Sequence, residues 1–191
     1  MEDQLTPTPT HVCPFWVGYL LASPIRKLID NPDRLVGEHV RPGMTVLDLG
    51  CAMGYFSLPM ARMVGDAGQV ICLDVQERML RKLEKRAERA GLLSRTERRL
   101  VEPDGLGLAD LDGAVGFALA FAVMHEIPDQ AGALAEVSAA LAPGARMLIA
   151  EPRGHVNAAA FERTLEHARA AGLRLLDRPQ RRGWTALLVK E

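Results

Sequence analysis

The chain has almost no net charge: 23 Lys and Arg against 24 Asp and Glu leave a formal charge of −1. That balance excludes a nucleic-acid binder driven by overall charge, though not a local basic patch. Long apolar runs are also missing. The longest nearly unbroken one, Gly113 to Met124, falls well short of the ~20 residues a membrane helix needs. Cysteine is scarce, and Cys13, Cys51 and Cys72 are odd in number and widely spaced, which excludes a disulfide framework or a paired zinc motif. Cys51 and Cys72 read as small packing residues. The amino terminus has acidic Glu2 and Asp3 where a secretory signal carries Lys or Arg, and no apolar stretch follows directly. A cytoplasmic protein is expected. Neither an internal repeat nor a low-complexity segment occurs.

What is present is ordinary soluble composition, 48% hydrophobic and 25% charged over 191 residues, enough for one compact domain with a real core. From Met44 onward, short apolar or β-branched runs alternate with segments of helical period, as in βαβ units around a parallel sheet. Strands are expected at Thr45–Leu49, Gln69–Leu73, Thr96–Val101, Val115–Phe121 and Arg146–Ala150. Helices are expected at Gly54–Val64, Glu77–Ala90, Asp129–Leu141 and Asn157–Ala171. The helix from Glu77 sets Met79, Leu80, Leu83, Ala87 and Ala90 on one face and pairs Glu77 with Arg81 at i,i+4 spacing. Leu173–Leu176 and Thr185–Val189 are joined by too little chain for a crossover helix and should form an antiparallel pair at the sheet edge. Residues 1–40, with prolines at 7, 9, 14, 24 and 32, read as a lead-in of small helices packed as a lid on the domain formed by 41–191.

The most informative segment is Val46-Leu47-Asp48-Leu49-Gly50-Cys51-Ala52-Met53-Gly54, a strand entering a glycine turn and then a helix. Glycine lets backbone approach a ligand closely. A dinucleotide pyrophosphate would prefer an unopposed helix N-terminus, whereas Asp48 before the turn favours a cationic ligand. Asp74 ends the second strand, where a carboxylate can accept both hydroxyls of a ribose. It would also serve as a helix cap ahead of Glu77, and the turn by itself would serve as a tight βα connection.

Val46–Ser57, Asp74, Pro143-Gly144 before the fifth strand and the terminal antiparallel pair together resemble the class I S-adenosylmethionine-dependent methyltransferase family, over roughly Arg41 to Lys190. The resemblance implies a Rossmann-like α/β fold with a seven-stranded mixed sheet, an antiparallel closing strand and helices on both faces. It implies S-adenosylmethionine as cofactor: Asp48, Gly50, Ala52 and Gly54 along the methionine part, Asp74 at the ribose, Asp104 at the adenine with Glu102 as its rival, and Val75 and Gly105 beside the cofactor. Ala52 replaces the family's middle glycine, tolerable if its φ is negative. The acid that many members carry early in the fourth strand is missing from Gly113–Gly116.

The methyl acceptor is expected at the carboxyl ends of the strands, with His125, Glu151 and His155 as candidate catalytic groups. Because histidine as a residue type titrates near neutrality, at ~6.5, His125 is the first choice for base or positioning residue; a histidine that only bonds its loop is the competing reading. Glu126 and the lead-in residues His11, Cys13, Trp16 and Tyr19 are expected around the acceptor. His11, Cys13, His125, Glu126, Glu151 and His155 have the donor types that suit zinc, but no close-spaced pair supports one and no metal is expected. Arg95, Arg98, Arg99, Arg178, Arg181 and Arg182 read as solvated edge charges rather than an RNA surface. The expectation is a methyltransferase for a small molecule; a catalytically silent binder of the same cofactor and a nicotinamide-dependent oxidoreductase are the alternatives.

Overall fold

The structure is a computed structural model that describes residues 31–180 and 183–191. Its strands are β1 (Thr45–Leu49), β2 (Gln69–Asp74), β3 (Thr96–Leu100), β4 (Val115–Phe121), β5 (Leu141–Glu151), β6 (Leu173–Asp177) and β7 (Trp184–Lys190). Its helices are α1 (Pro32–Val36), α2 (Ser57–Val64), α3 (Glu77–Arg89), α4 (Gln130–Ala140) and α5 (Ala158–Ala170). The strands form one sheet in the order β3-β2-β1-β4-β5-β7-β6.

Alternation along β1 divides the core. Leu47 and Leu49 point to one face with Ile71, Ala118, Leu134 and Phe161, under α4 and α5. Val46 points to the other with Met60, Cys72, Leu83 and Phe117, under α1, α2 and α3. With both faces covered, the strands at the centre can be apolar throughout, which is why Val115–Phe121 has no polar side chain. β1 runs parallel to both β2 and β4. Strand order reverses there, and the split between loops leading to opposite faces opens a crevice at the strands' carboxyl ends.

Most expected elements are present, and the differences have local causes. α2 starts at Ser57, not Gly54, because Gly54 has φ +79° and is still part of the turn. α3 ends at Arg89, and Ala90, expected on the buried face, is exposed beyond it. β5 is longer than expected: Leu141 already pairs with Val115, and pairing resumes at Phe117 with Arg146. Pro143 and Gly144, with φ +77°, bow out of the ladder between them. The terminal pair is antiparallel, but β7 lies inside, antiparallel to both β5 and β6, and β6 is the edge. Asn157 caps α5 by accepting from the Ala160 N–H at 2.8 Å. Cys51 and Cys72 are buried free thiols. Arg95, Arg98, Arg99 and Arg178 are each paired with carboxylates, of Asp66, Glu84, Asp110 and Glu162 among others; Arg181 and Arg182 lie outside the described residues.

Candidate functional site

The crevice is a cavity of about 1590 Å³, larger than the roughly 300–1,000 Å³ usual for one small ligand. At its floor, β1 delivers Asp48 and β2 delivers Asp74. Asp48 is fully buried, and the Ser57 hydroxyl donates to its Oδ2 at 2.5 Å. Burial pushes its carboxyl up to about 7 against the opposing pull of that hydrogen bond, with repulsion from Asp74 adding to the rise. Asp74 latches the turn. Its Oδ2 accepts the Ala52 N–H at 2.9 Å and its Oδ1 the Gln76 N–H at 2.8 Å. Burial raises its pKa, and these two bonds oppose the rise. The helix N-cap is Gln76, so Asp74 holds the approach to α3 rather than capping it.

The glycine turn is built differently from the sequence expectation at two points. Ala52 has φ +47°, not a negative value, so its methyl group sits in the left-handed region that ordinarily calls for glycine. The Asp74 bond to its N–H opposes that strain. Gly54 does not line the cavity; a Cβ there would lie 3.0 Å from Leu83 Cγ, so its bareness serves the packing of α3 behind the turn. Gly50 does line the cavity, and a Cβ on it would come within 2.5 Å of Val123 Cγ2, after β4. Arg86 of α3 donates to the Met53 carbonyl from the far side.

Val75, Glu102, Asp104 and Gly105 all line the same cavity. Val75, 56% exposed, and Leu100, 43% exposed, present apolar surface unusual for residues of their type. Glu102 and Asp104 are exposed. Their loop is clamped by Glu136 of α4, which accepts the Leu106 N–H at 2.9 Å and touches the space a Gly105 side chain would need. Glu136 gives no local sequence signal, since its partner lies 30 positions earlier.

Across the cavity, β4 and β5 bring His125 and Glu151 together. His125 Nδ1 lies 2.6 Å from Glu151 Oε2, while Glu151 Oε1 accepts the Met124 N–H at 2.7 Å. Burial raises the Glu151 pKa, and attraction to His125 works against the rise. The Glu151 side chain is 1% exposed and that of His125 22%, so the carboxylate orients an imidazole that still faces the cavity. The His155 ring is 5.4 Å from that of His125, centroid to centroid. Glu126 also lines the cavity. Ala122, a residue the sequence did not single out, turns the chain out of β4 with φ +55°. His11, Cys13, Trp16 and Tyr19 lie outside the described residues. Among the described residues no three His, Cys, Asp or Glu side chains are grouped as a metal ion requires.

A seven-stranded sheet with one antiparallel strand, a glycine turn after β1 and a carboxylate ending β2 defines a class, and comparison with known proteins agrees. A family model for a methyltransferase domain matches residues 41–176. The chain is 33% identical to ribosomal protein L11 methyltransferase of Pelotomaculum thermopropionicum, over 82% of this chain and 47% of that protein. It is 34% identical to demethylmenaquinone methyltransferase of Desulfitobacterium hafniense, over 54% of this chain and 40% of that one. A solved S-adenosylmethionine-dependent methyltransferase of Aquifex aeolicus superimposes with a TM-score of 0.79 at 25% identity, over 92% of this chain and 97% of that one. The chain therefore belongs to the class I S-adenosylmethionine-dependent methyltransferase family. It spans about a third to a half of the length of the curated relatives it matches.

The residues present fit the family's cofactor. Each Asp74 oxygen accepts one backbone N–H and keeps a lone pair for a hydroxyl. Eight carboxylate side chains line the cavity, and Arg86, which bonds the glycine turn from behind, is not among the residues that line it, so the lining suits a sulfonium and an ammonium and opposes a pyrophosphate.

Proposed function

We propose that this protein transfers a methyl group from S-adenosylmethionine to a small-molecule acceptor. The observation that carries the reading is the placement of two separate devices on one cavity: Asp74 with its latched turn, and the His125–Glu151 pair facing it from β4 and β5. In this reading Asp74 receives the ribose hydroxyls, and Asp48, Gly50 and Ala52 lie along the amino-acid part. Val75, Glu102, Asp104 and Gly105 surround the adenine. Gly54 acts from behind by letting α3 close on the turn.

When bound, the cofactor supplies an electrophilic methyl group on sulfur. The protein's task is then to place a nucleophile in line with it and to remove a proton if the nucleophile keeps one. His125 suits that second task. Glu151 accepts from its Nδ1, which fixes the tautomer and leaves Nε2 to take the proton of the acceptor. His155 and Glu126 line the acceptor side. Relatives named as quinone-pathway methyltransferases favour a ring-bearing acceptor. The relative named for methylating a ribosomal protein, which matches most of this chain, favours a protein acceptor as the second reading.

The test is isothermal titration of the protein with S-adenosylmethionine, S-adenosylhomocysteine and NAD, repeated with Asp74→Ala. Micromolar binding of both adenosyl compounds but not NAD, weakened at least tenfold by the substitution, is expected. Binding of NAD alone would sink the reading. Transfer of labelled methyl to acid-soluble rather than acid-precipitable product then separates the small-molecule acceptor from the protein one.

A further inference from the structure

The charge pattern of the cavity is lopsided. Eight carboxylate side chains line it, and among the described residues Arg153 is the one Lys or Arg that does so. Arg153 sits in the loop after β5, on the acceptor side, in the same short segment as Glu151 and His155. Arg95, Arg98, Arg99 and Arg178 end on carboxylates, and Arg41 and Arg86 donate to backbone carbonyls; Arg153 does neither, and no Asp or Glu oxygen of the described residues lies within ion-pair reach of it. Its guanidinium lies instead over the Trp184 ring, 4.9 Å from the centroid. The indole is fixed in turn, donating from Nε1 to the Val156 carbonyl at 2.8 Å and packing beside Phe161. The ring face thus holds the cation in place without neutralising it.

A guanidinium seated over an aromatic ring, exposed in the lining of a cavity and with its donors unspent on carboxylate, is prepared for a bidentate oxyanion. The cofactor brings a carboxylate of its own, but in the proposed reading that group lies along the turn after β1, and β4 stands between β1 and β5, whose following loop carries Arg153. We propose that the methyl acceptor carries an oxyanion substituent, a carboxylate or a phosphate monoester, and that Arg153 receives it while His125 faces the atom to be methylated. This rests on the reading of the cavity as a methyltransferase site and adds the chemical class of its acceptor. The carboxylates that line the rest of the cavity repel an anion, so the position beside Arg153 is the one place in it where an oxyanion is favoured. Arg153 is here a specificity-determining residue; it takes no part in the displacement.

The experiment uses the full chain saturated with S-adenosylhomocysteine. Paired probes are titrated calorimetrically: 4-hydroxybenzoate against 4-hydroxybenzamide, 4-hydroxyphenylacetate against its amide, and phenyl phosphate against phenol. At least one oxyanion should bind ten times or more tightly than its neutral twin, and the carboxylate and phosphate arms show which anion the site takes. Arg153→Gln should abolish that preference while leaving S-adenosylhomocysteine affinity within about twofold. Arg153→Lys, which keeps the charge but loses the fork, should retain only part of it. If no oxyanion outbinds its twin, or the preference survives Arg153→Gln, the proposal is overturned. Should S-adenosylhomocysteine itself fail to bind, the methyltransferase reading fails separately, and the same twin comparison on the unliganded protein still decides the role of Arg153.

Discussion

At the scale of single residues, the site is built from groups held in unfavourable states. Asp48 is a carboxyl buried beneath the turn with its pKa pushed up to about 7. Such a group binds more protons folded than unfolded, so its contribution to stability is fully present below about pH 4, is lost as pH rises to about 7 and is level beyond, a total cost of about 4 kcal/mol. Asp48→Asn keeps an acceptor for Ser57 and removes the charge. Urea unfolding without cofactor should show the wild type losing roughly 2–3 kcal/mol more than the variant between pH 5 and pH 8; parallel profiles would mean that Asp48 ionises freely in the fold. Ala52 and Ala122 are strained in another currency. Their positive φ costs roughly 1–2 kcal/mol each against the right-handed region, and both flank the cavity, where strain is commonly retained for function.

At the scale of elements, the site depends on how closely the turn after β1 approaches the chain leaving β4. Gly50 faces Val123 across that gap with φ +66°, and a Cβ would overlap two atoms of the valine side chain. Gly50→Ala should therefore cost about 2–4 kcal/mol by denaturant unfolding, combining strain with overpacking. Adding Val123→Ala should restore the steric part, a coupling readable in a double-mutant cycle. Gly144→Ala is the control: its φ is similar, but nothing lies near its absent Cβ, so only the backbone penalty of about 1 kcal/mol should appear. If Gly50→Ala and Gly144→Ala cost the same, the approach of the β1 and β4 loops is looser than described.

At the scale of the whole molecule, the parallel strands send their loops to one end and the covered faces leave that end as the place where a ligand enters. The acidic lining of this end suits a cationic cofactor, and the antiparallel β7 brings Trp184 next to β5, behind Arg153. A ligand bound only by the folded state at 100 times its Kd adds about 2.7 kcal/mol. For a chain of this size S-adenosylhomocysteine should raise Tm by roughly 5–10 °C. Asp74→Ala should lose that shift at the same concentration, and an equal shift with NAD would contradict the electrostatic reading of the cavity.

Much of this protein was legible in order along the chain. Alternating periods, the Gly50–Gly54 turn, Asp74 at a strand end and the helixless link before β7 are local patterns, each dictated by how one segment must fold, and together they determined the sheet, its helices and the cofactor class. His125, Glu151 and His155 were legible as a group because loops after neighbouring parallel strands share one rim. Contacts between distant segments were not. The left-handed Ala52 depends on the hydrogen bond its N–H donates to Asp74, 22 residues away; the placement of Gly54 depends on Leu83; Glu136 reaches back 30 residues to the loop after β3. The insertion of β7 between β5 and β6, and with it the indole under Arg153, follows from the competition of whole strands for one sheet edge. Sequence patterning determines what each segment can become, whereas only the packed structure decides which side chains share a cavity and which charges are left without an opposite.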